Sequence, residues 1–392
     1  MEAVKERPLA VQKARRLRPR YVPALPTLWP GMLAGPRQSQ PPFPFGADGA
    51  SFYYFARNAI WHAVKLLSLQ RREVLVPAYH HGVEVEALVD AGVVPRFYPI
   101  DLRLLLDPDD LIARIGPGTA AVYVIHYLGF PQPLDRLLEV CRSRGIPVIE
   151  DCALALLSGD GERPLGSRGD VSIFCLYKTV PVPSGGALVV NGGWPRGVPR
   201  PVHPGLASTA SHAGSSLLAN LELRSGRTGG WIARALRASG RLSAGSLSLR
   251  RVPTGTQHFE RSHVRLGMAA LSRRILERQD FDRIVANRRR NFFFLMGRLR
   301  DVAPPVISEL PPGVCPLFYP LWVENKDRVR SRLLDLGIQA IDFWRTGHSA
   351  LRPGDFPDVD RLRQHVLELP SHQDLGPDAM EFVARAVREV LS

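Results

Sequence analysis

Two residues of this chain have the type and setting for covalent chemistry on a carbonyl compound. Lys178 ends the largely apolar run Val171-Ser172-Ile173-Phe174-Cys175-Leu176-Tyr177, and a Ser184-Gly185-Gly186 turn follows shortly after. A lysine at the end of a buried strand is partly withdrawn from water, which disfavours its ammonium form and makes the amine a nucleophile able to form a Schiff base. Asp151 ends Val148-Ile149-Glu150, and ligands of open parallel sheets bind beyond the carboxyl ends of the strands. Plainer readings exist for both: Asp151 as the cap of a following helix, Lys178 as a strand-end lysine that reaches out to water. Elimination favours Lys178. Lys5 and Lys13 lie in an N-terminal arm, Lys65 in a helical stretch, and Lys326 in a polar Glu-Asn-Lys-Asp turn.

A lysine and an acid at neighbouring strand ends match the needs of pyridoxal 5'-phosphate. The amine holds the aldehyde, and the carboxylate keeps the pyridine nitrogen protonated so that the ring draws electrons. The elements that would position such a pair are visible. Glu73–Pro77, Val94–Tyr98, Ala121–His126 and Ile146–Asp151 read as strands of a buried parallel sheet, with intervening segments long enough for crossover helices. Val171–Tyr177 and Ala187–Asn191 read as two more. The expected fold is therefore α/β: a large domain with a mainly parallel, doubly wound sheet, plus a smaller α+β C-terminal domain. Its boundaries are a basic, proline-rich arm over 1–48, a cofactor-binding domain over 49–258, and connecting helices with the small domain over 259–392. Within the second unit, 192–258 is rich in Gly, Ser and Arg and reads as a variable insertion or helical connection. In the third, Leu317–Val323 and Val366–Leu369 read as strands, with helices after Asn325 and from Pro377.

Composition narrows the class. The chain has 392 residues, 45% of them hydrophobic and 22% charged, which suits a folded protein of more than one domain. Its net charge of +14 comes almost wholly from arginines scattered along the chain, so the expectation is anionic small ligands and no nucleic acid. No apolar run approaches the length of a membrane span, and the basic N-terminus lacks an apolar signal region; a location in the cytoplasm and no membrane partner are expected. Cys141, Cys152, Cys175 and Cys315 are far apart and show no metal-ligand spacing, so neither a disulfide framework nor a metal site is expected.

The order of segments resembles the DegT/DnrJ/StrS family of pyridoxal-phosphate-dependent sugar aminotransferases, which have the fold-type-I aminotransferase architecture. The resemblance runs from about Phe55 to the C-terminus. It rests on Val76-Pro77-Ala78-Tyr79, on His126-Tyr127-Leu128-Gly129 followed by Pro131 and Asp135, on Glu150-Asp151-Cys152-Ala153, and on Gly169-Asp170 leading to Lys178 and Gly185-Gly186-Ala187. It implies that Lys178 carries the internal aldimine and that Asp151 pairs with the pyridinium nitrogen. It implies further that Arg57 and Asn58 hold the phosphate, where the family usually has Gly and Thr. His81 would stack on the ring, or else belong with His80 to an ordinary polar helix start. Ser172 and Cys175 stand in for the family's displaced phosphate-binding serine, although Cys175 also reads as a small buried residue. Arg261 would reach the neighbouring subunit's phosphate across a two-fold interface, or be an exposed arginine at a helix start.

Leu154 stands where the family often has a Gln that contacts the ring hydroxyl. Trp344, His348 and His372 fall in C-terminal stretches that could face the substrate. The implied activity is transfer of an amino group from an amino acid, glutamate in the first instance, to a nucleotide-linked keto sugar by a homodimer with its site at the interface. Two alternatives stay open: the same cofactor acting on a non-sugar acceptor, and a non-catalytic relative with a regulatory or binding role.

Overall fold

The computed structural model describes residues 17–195, 201–246, 258–342 and 344–392, without the side chains of 207, 227 and 237–246. The large unit is built on β1 (Ala50–Tyr53), α1 (Ala56–Leu66), β2 (Glu73–Pro77), α2 (Val83–Asp90), β3 (Val94–Tyr98), α3 (Pro108–Arg114), β4 (Thr119–Ile125), α4 (Asp135–Ser143), β5 (Val148–Asp151), β6 (Val171–Cys175) and β7 (Gly186–Val190). Its seven strands lie in the order β1-β7-β6-β5-β4-β2-β3. The five from β3 to β6 are parallel, β7 runs antiparallel to β6, and the edge strand β1 runs antiparallel to β7.

Burial follows from that order. All seven residues of the central β4 are buried, as a strand covered by helices on both faces requires, while the edge strand β3 leaves Val94 half open to solvent. Strand order reverses between β2 and β4, because the chain leaves β2 for the edge and then returns past it. Such a reversal opens a crevice at the carboxyl ends of the strands.

Two local features hold the crevice in shape. A Cβ on Gly186 would collide with the Phe55–Ala56 backbone, so glycine is what lets β7 press against the start of α1. Glu150, fully buried beside Asp151, points the other way. It accepts the His126 Nε2–H at 2.9 Å and the main-chain N–H groups of Gly166, Arg168 and Gly169. Burial pushes its carboxyl up, but the His126 bond and those N–H donors outweigh that and leave it below the usual range.

After β7 the chain forms α5 (Leu206–Ser246), a 41-residue helix broken at Gly226, where the backbone adopts φ 56°. Sequence reading of 192–258 found only weak helix there. Gly and Ser lower intrinsic propensity, which is why the local pattern understates the helix. Next come α6 (Ala270–Leu276) and α7 (Phe281–Leu299), and then β8 (Phe318–Trp322), α8 (Lys326–Asp335), α9 (Pro357–His365), β9 (Val366–Pro370) and α10 (Pro377–Leu391). Strands β8 and β9 pair antiparallel with Tyr319 opposite Leu369. One continuous apolar core runs from β2, β4 and β5 into β8, β9 and α10.

The arm does not simply run over the surface. Val22 is fully buried and bridges to Ile338, and Thr27 bonds Asp374 through both its N–H and its hydroxyl. Arg15 and Arg16 lie outside the described residues.

Candidate active site

The carboxyl ends of β2, β4, β5 and β6, the first turn of α1 and the segment after α8 enclose a cavity of about 310 Å³. That is the low end of the range for small-molecule sites. Lys178, Asp151, Arg57, His81 and Cys175 all line it, so five of the eight residues picked from the sequence meet in one place.

Lys178 sits half-buried in the single 3₁₀ turn that follows β6. Asp151 ends β5, pairs in register with Ile125 and Ile173 on the flanking strands, and is 4% exposed. Its Oδ2 accepts the Tyr123 hydroxyl at 2.6 Å and its Oδ1 accepts the Ala153 N–H at 2.8 Å. The helix-cap reading of Asp151 fails, because no helix follows β5 before β6; the Ala153 contact closes a turn of irregular chain. Each carboxylate oxygen has two acceptor positions, so capacity remains for a donor in the cavity. Burial, and next the nearby carboxylate of Glu84, push the Asp151 carboxyl up to about 6, opposed by the Tyr123 and Ala153 bonds and the Lys178 charge.

Arg57 is the second residue of α1, 8% exposed, with its guanidinium 4.0 Å from the centroid of the Phe55 ring. Desolvation weakens its hold on its proton, partly offset by Tyr177 and Cys175. No side chain caps α1, and Phe55, Ala56 and Arg57 all face the cavity. The positive end of a helix and an arginine therefore meet at one end of the hollow. His81 lines the opposite stretch between β2 and α2. Burial and the charges of Lys178, Arg363 and Arg57 lower it to about 4, so its imidazole is neutral at pH 7.

The other three residues lie elsewhere. The Asn58 amide donates to the His263 carbonyl at 2.8 Å and does not line the cavity. Ser172 alternates with Cys175 along β6 and so faces the opposite side of the sheet, packed toward Gly166. Arg261 has an exposed side chain, 4.0 Å from Asp90 and 6.0 Å from the centroid of Trp61, outside this chain's cavity.

Of the C-terminal candidates, only Trp344 lines the cavity. The N–H of His348 donates to His80 Nε2 at 2.8 Å, and buried His372 bonds Pro23 O. His80 is no exposed helix-start residue: Nδ1 bonds Pro77 O, Nε2 receives that N–H, and burial holds the ring at about 3.

Lys326 also differs from the turn residue that elimination assumed. It is 6% exposed at the start of α8, with Nζ 2.8 Å from Asp342 and a second bond to Arg363 O. Asp342 borders the cavity; Lys326 does not.

Sequence reasoning missed Glu84 and Tyr123. Glu84 is buried on the cavity wall, and its Oε1 accepts the His81 N–H at 2.7 Å. The three-residue spacing of that one-sided cap was the signal available. Tyr123 gave none beyond being a polar aromatic in a strand.

The order of strands and helices is that of the fold-type-I aminotransferase architecture. Across 94% of this chain the backbone follows that of Spr1654 of Streptococcus pneumoniae in its apo-form, with a TM-score of 0.67 at 14% identity and 97% of that chain covered. TlmJ, an aminotransferase of Streptoalloteichus hindustanus, superposes over 88% of this chain and 86% of its own with a TM-score of 0.59 at 23% identity. Residues 56–193, which carry Arg57, His81, Asp151 and Lys178, match the DegT/DnrJ/EryC1/StrS aminotransferase family.

The chain is 37% identical over 122 residues to the L-glutamine:2-deoxy-scyllo-inosose aminotransferase of Streptoalloteichus tenebrarius. It is 32% identical over 125 residues to the GDP-perosamine synthase of Vibrio cholerae. These matches take in 30% and 31% of this chain and span 29% and 34% of the two relatives' own lengths. Among the described residues, no helix is long and apolar enough to cross a membrane, and all four cysteines are buried free thiols.

Proposed function

We propose that this chain is a pyridoxal-phosphate-dependent aminotransferase that moves the amino group of an amino acid to a keto sugar, in the leading reading a nucleotide-linked one. The observation that carries the reading is the convergence of Lys178, Asp151 and Arg57 on one cavity at the carboxyl ends of the parallel strands. The residues present fit the cofactor. Bound there, pyridoxal phosphate would supply an electron sink that allows a bond at the α-carbon of the amino acid to break.

The chain's own groups have separable tasks. Lys178 would hold the cofactor's aldehyde carbon and move the proton at the α-carbon of the amino-acid donor. Asp151, supported by Tyr123, keeps the proton on the ring nitrogen. His81, neutral and flat, packs against the ring. Arg57 and the open end of α1 take the phosphate. Leu154, Ile125, Val83 and Trp344 exclude water, and Leu154 offers the ring hydroxyl no hydrogen bond. Arg261 belongs to a homodimer in which it serves the neighbouring site. The free thiols and the lack of a membrane-spanning helix among the described residues support a cytoplasmic location.

Purified protein given pyridoxal phosphate is expected to gain an absorbance band that borohydride removes, with the reduced adduct on Lys178 in a peptide map. Lys178→Ala must lose both. A protein that takes up no cofactor overturns the proposal. Exchange of the α-proton of glutamate against glutamine then identifies the donor. Turnover of nucleotide-linked keto sugars, cyclitol ketones and keto acids identifies the acceptor.

A further inference from the structure

Arg288, in the middle of α7, is the largest fully buried side chain among the described residues, and no carboxylate lies within 4 Å of it among them. A guanidinium in such a place must satisfy five N–H donors. It does so entirely with neutral oxygens. Nε donates to Gln373 Oε1 at 2.8 Å, and Nη1 to Pro316 O at 3.3 Å and Leu317 O at 2.9 Å. Nη2 donates to Lys178 O at 3.4 Å and Thr179 O at 3.3 Å. Gln373 closes the ring by donating from Nε2 to Thr179 O at 2.9 Å.

Two of the five acceptors thus belong to the turn that carries Lys178, two to the residues that lead into β8, and one to the loop after β9. We propose that Arg288 is a positioning residue for Lys178, fixing the main-chain turn from which the amine projects and tying that turn to the C-terminal unit. It touches neither the cavity nor the amine. It acts through the orientation of the peptide groups on the C-terminal side of Lys178, where a small tilt is multiplied along a four-carbon side chain. In the catalytic sense this rests on the assignment of Lys178 above.

The same helix supplies a control. One turn on, the Asn291 amide is equally buried and donates to the carbonyls of Ser371, His372 and Leu375. It ties α7 to the same C-terminal loop without touching the lysine turn. Arg288→Lys keeps the charge but offers three donors to five acceptors; Asn291→Ala loses a comparable anchor.

The experiment is reductive methylation of each cofactor-free protein with formaldehyde and cyanoborohydride. The rate at Lys178 is read against that at Lys65 by peptide mass spectrometry, with melting temperatures alongside. Arg288→Lys is expected to lower the Lys178/Lys65 rate ratio about 10-fold, the scale of a modest misalignment. Asn291→Ala is expected to lower the melting temperature and leave the ratio within about twofold of the parent. Should Arg288→Lys fail to fold, Gln373→Leu, which removes one bond to Arg288 and one to Thr179, must lower the ratio in its place.

Equal ratios in the Arg288 and Asn291 variants, or an unchanged ratio in a folded Gln373→Leu, overturn the proposal. If the parent gains no cofactor band while the ratio still responds to Arg288, the aminotransferase reading fails and the positioning role stands.

Discussion

Tyr123→Phe isolates the interaction that keeps the buried acid ionised. The substitution deletes one oxygen from a fully buried ring and leaves the packing shape unchanged, so its effect passes through the 2.6 Å hydrogen bond to Asp151 Oδ2. A hydrogen bond to a charged acceptor is worth about 1.5–3 kcal/mol. It stabilises the carboxylate over the neutral acid, so losing it raises the Asp151 carboxyl by roughly 1–2 pH units at about 1.4 kcal/mol per unit. Starting from about 6, the acid in the variant titrates at roughly 7–8 by the same conversion.

At pH 7 the parent is about ten-to-one ionised and the variant about one-to-one or less. Cofactor affinity that depends on the carboxylate should then fall about 2- to 10-fold at pH 7 and recover by about pH 9. Titrating the quenching of tryptophan fluorescence by pyridoxal phosphate at half-unit pH intervals gives the midpoint directly. Asp151→Asn should abolish it. A Tyr123→Phe midpoint equal to the parent's would refute the reasoning, because the hydroxyl would then contribute nothing to the ionisation of Asp151.

Other perturbations separate the remaining roles. Arg57→Ala should weaken pyridoxal phosphate about 10- to 100-fold, the worth of a charge-assisted contact, and pyridoxal lacking the phosphate far less; equal losses for the two ligands would remove Arg57 from the phosphate end. Lys326→Met leaves the buried Asp342 carboxylate only its 3.7 Å pairing with Arg345 and should cost up to about 3–5 kcal/mol in urea unfolding, while the Lys178 absorbance band keeps its position.

The pH dependence of stability has a defined sign. His80, His81 and His372 are held at about 3, 4 and 4, below the ordinary 6.5, chiefly by burial. The stability linked to their neutral form is complete above pH 6.5 and is lost as pH falls toward 4 and 3. Asp151, raised to about 6 by burial, works the other way: its contribution is complete below about 4 and lost as pH rises through 6. Melting curves between pH 4 and 8 should therefore show a net loss toward acid that is steeper in Asp151→Asn than in the parent. A shallower acid limb in that variant would contradict the assignment.

How far the sequence could be read depended on whether the deciding interaction was local. Strands β2, β4, β5, β6 and β7 announced themselves because a doubly covered strand is apolar throughout, and their ends placed Asp151 and Lys178 without help from any partner. Strand β1 did not. Its four residues join the sheet only by pairing with β7, far away in sequence, with Ala50 opposite Val189. Ser172 was misread for a different reason. Position along a strand is legible, but the face it presents depends on where the strand ends relative to the cavity, and one step of the period-two alternation reverses it. Lys326 was misjudged because the residue that buries its charge, Asp342, arrives from sixteen positions further on.

The phosphate end shows the same distinction working in favour of the site. Replacement of the family's Gly and Thr by Arg57 and Asn58 looks like a loss if those side chains are thought to do the binding. The donors that a helix start offers are main-chain N–H groups, and these depend on α1 beginning at Ala56, with Gly186 allowing β7 to abut it. Both conditions hold here. The arginine adds a charge beside those donors, and the Asn58 amide bonds His263 O and anchors the 3₁₀ turn Arg261–His263 that bears Arg261.

Asn58→Ala should accordingly leave the affinity for pyridoxal phosphate within about twofold while lowering stability by about 1 kcal/mol, because it leaves the half-buried His263 carbonyl without its donor. Fluorescence titration and urea unfolding on the same preparation measure both quantities. A large loss of affinity with stability unchanged would return Asn58 to the phosphate site.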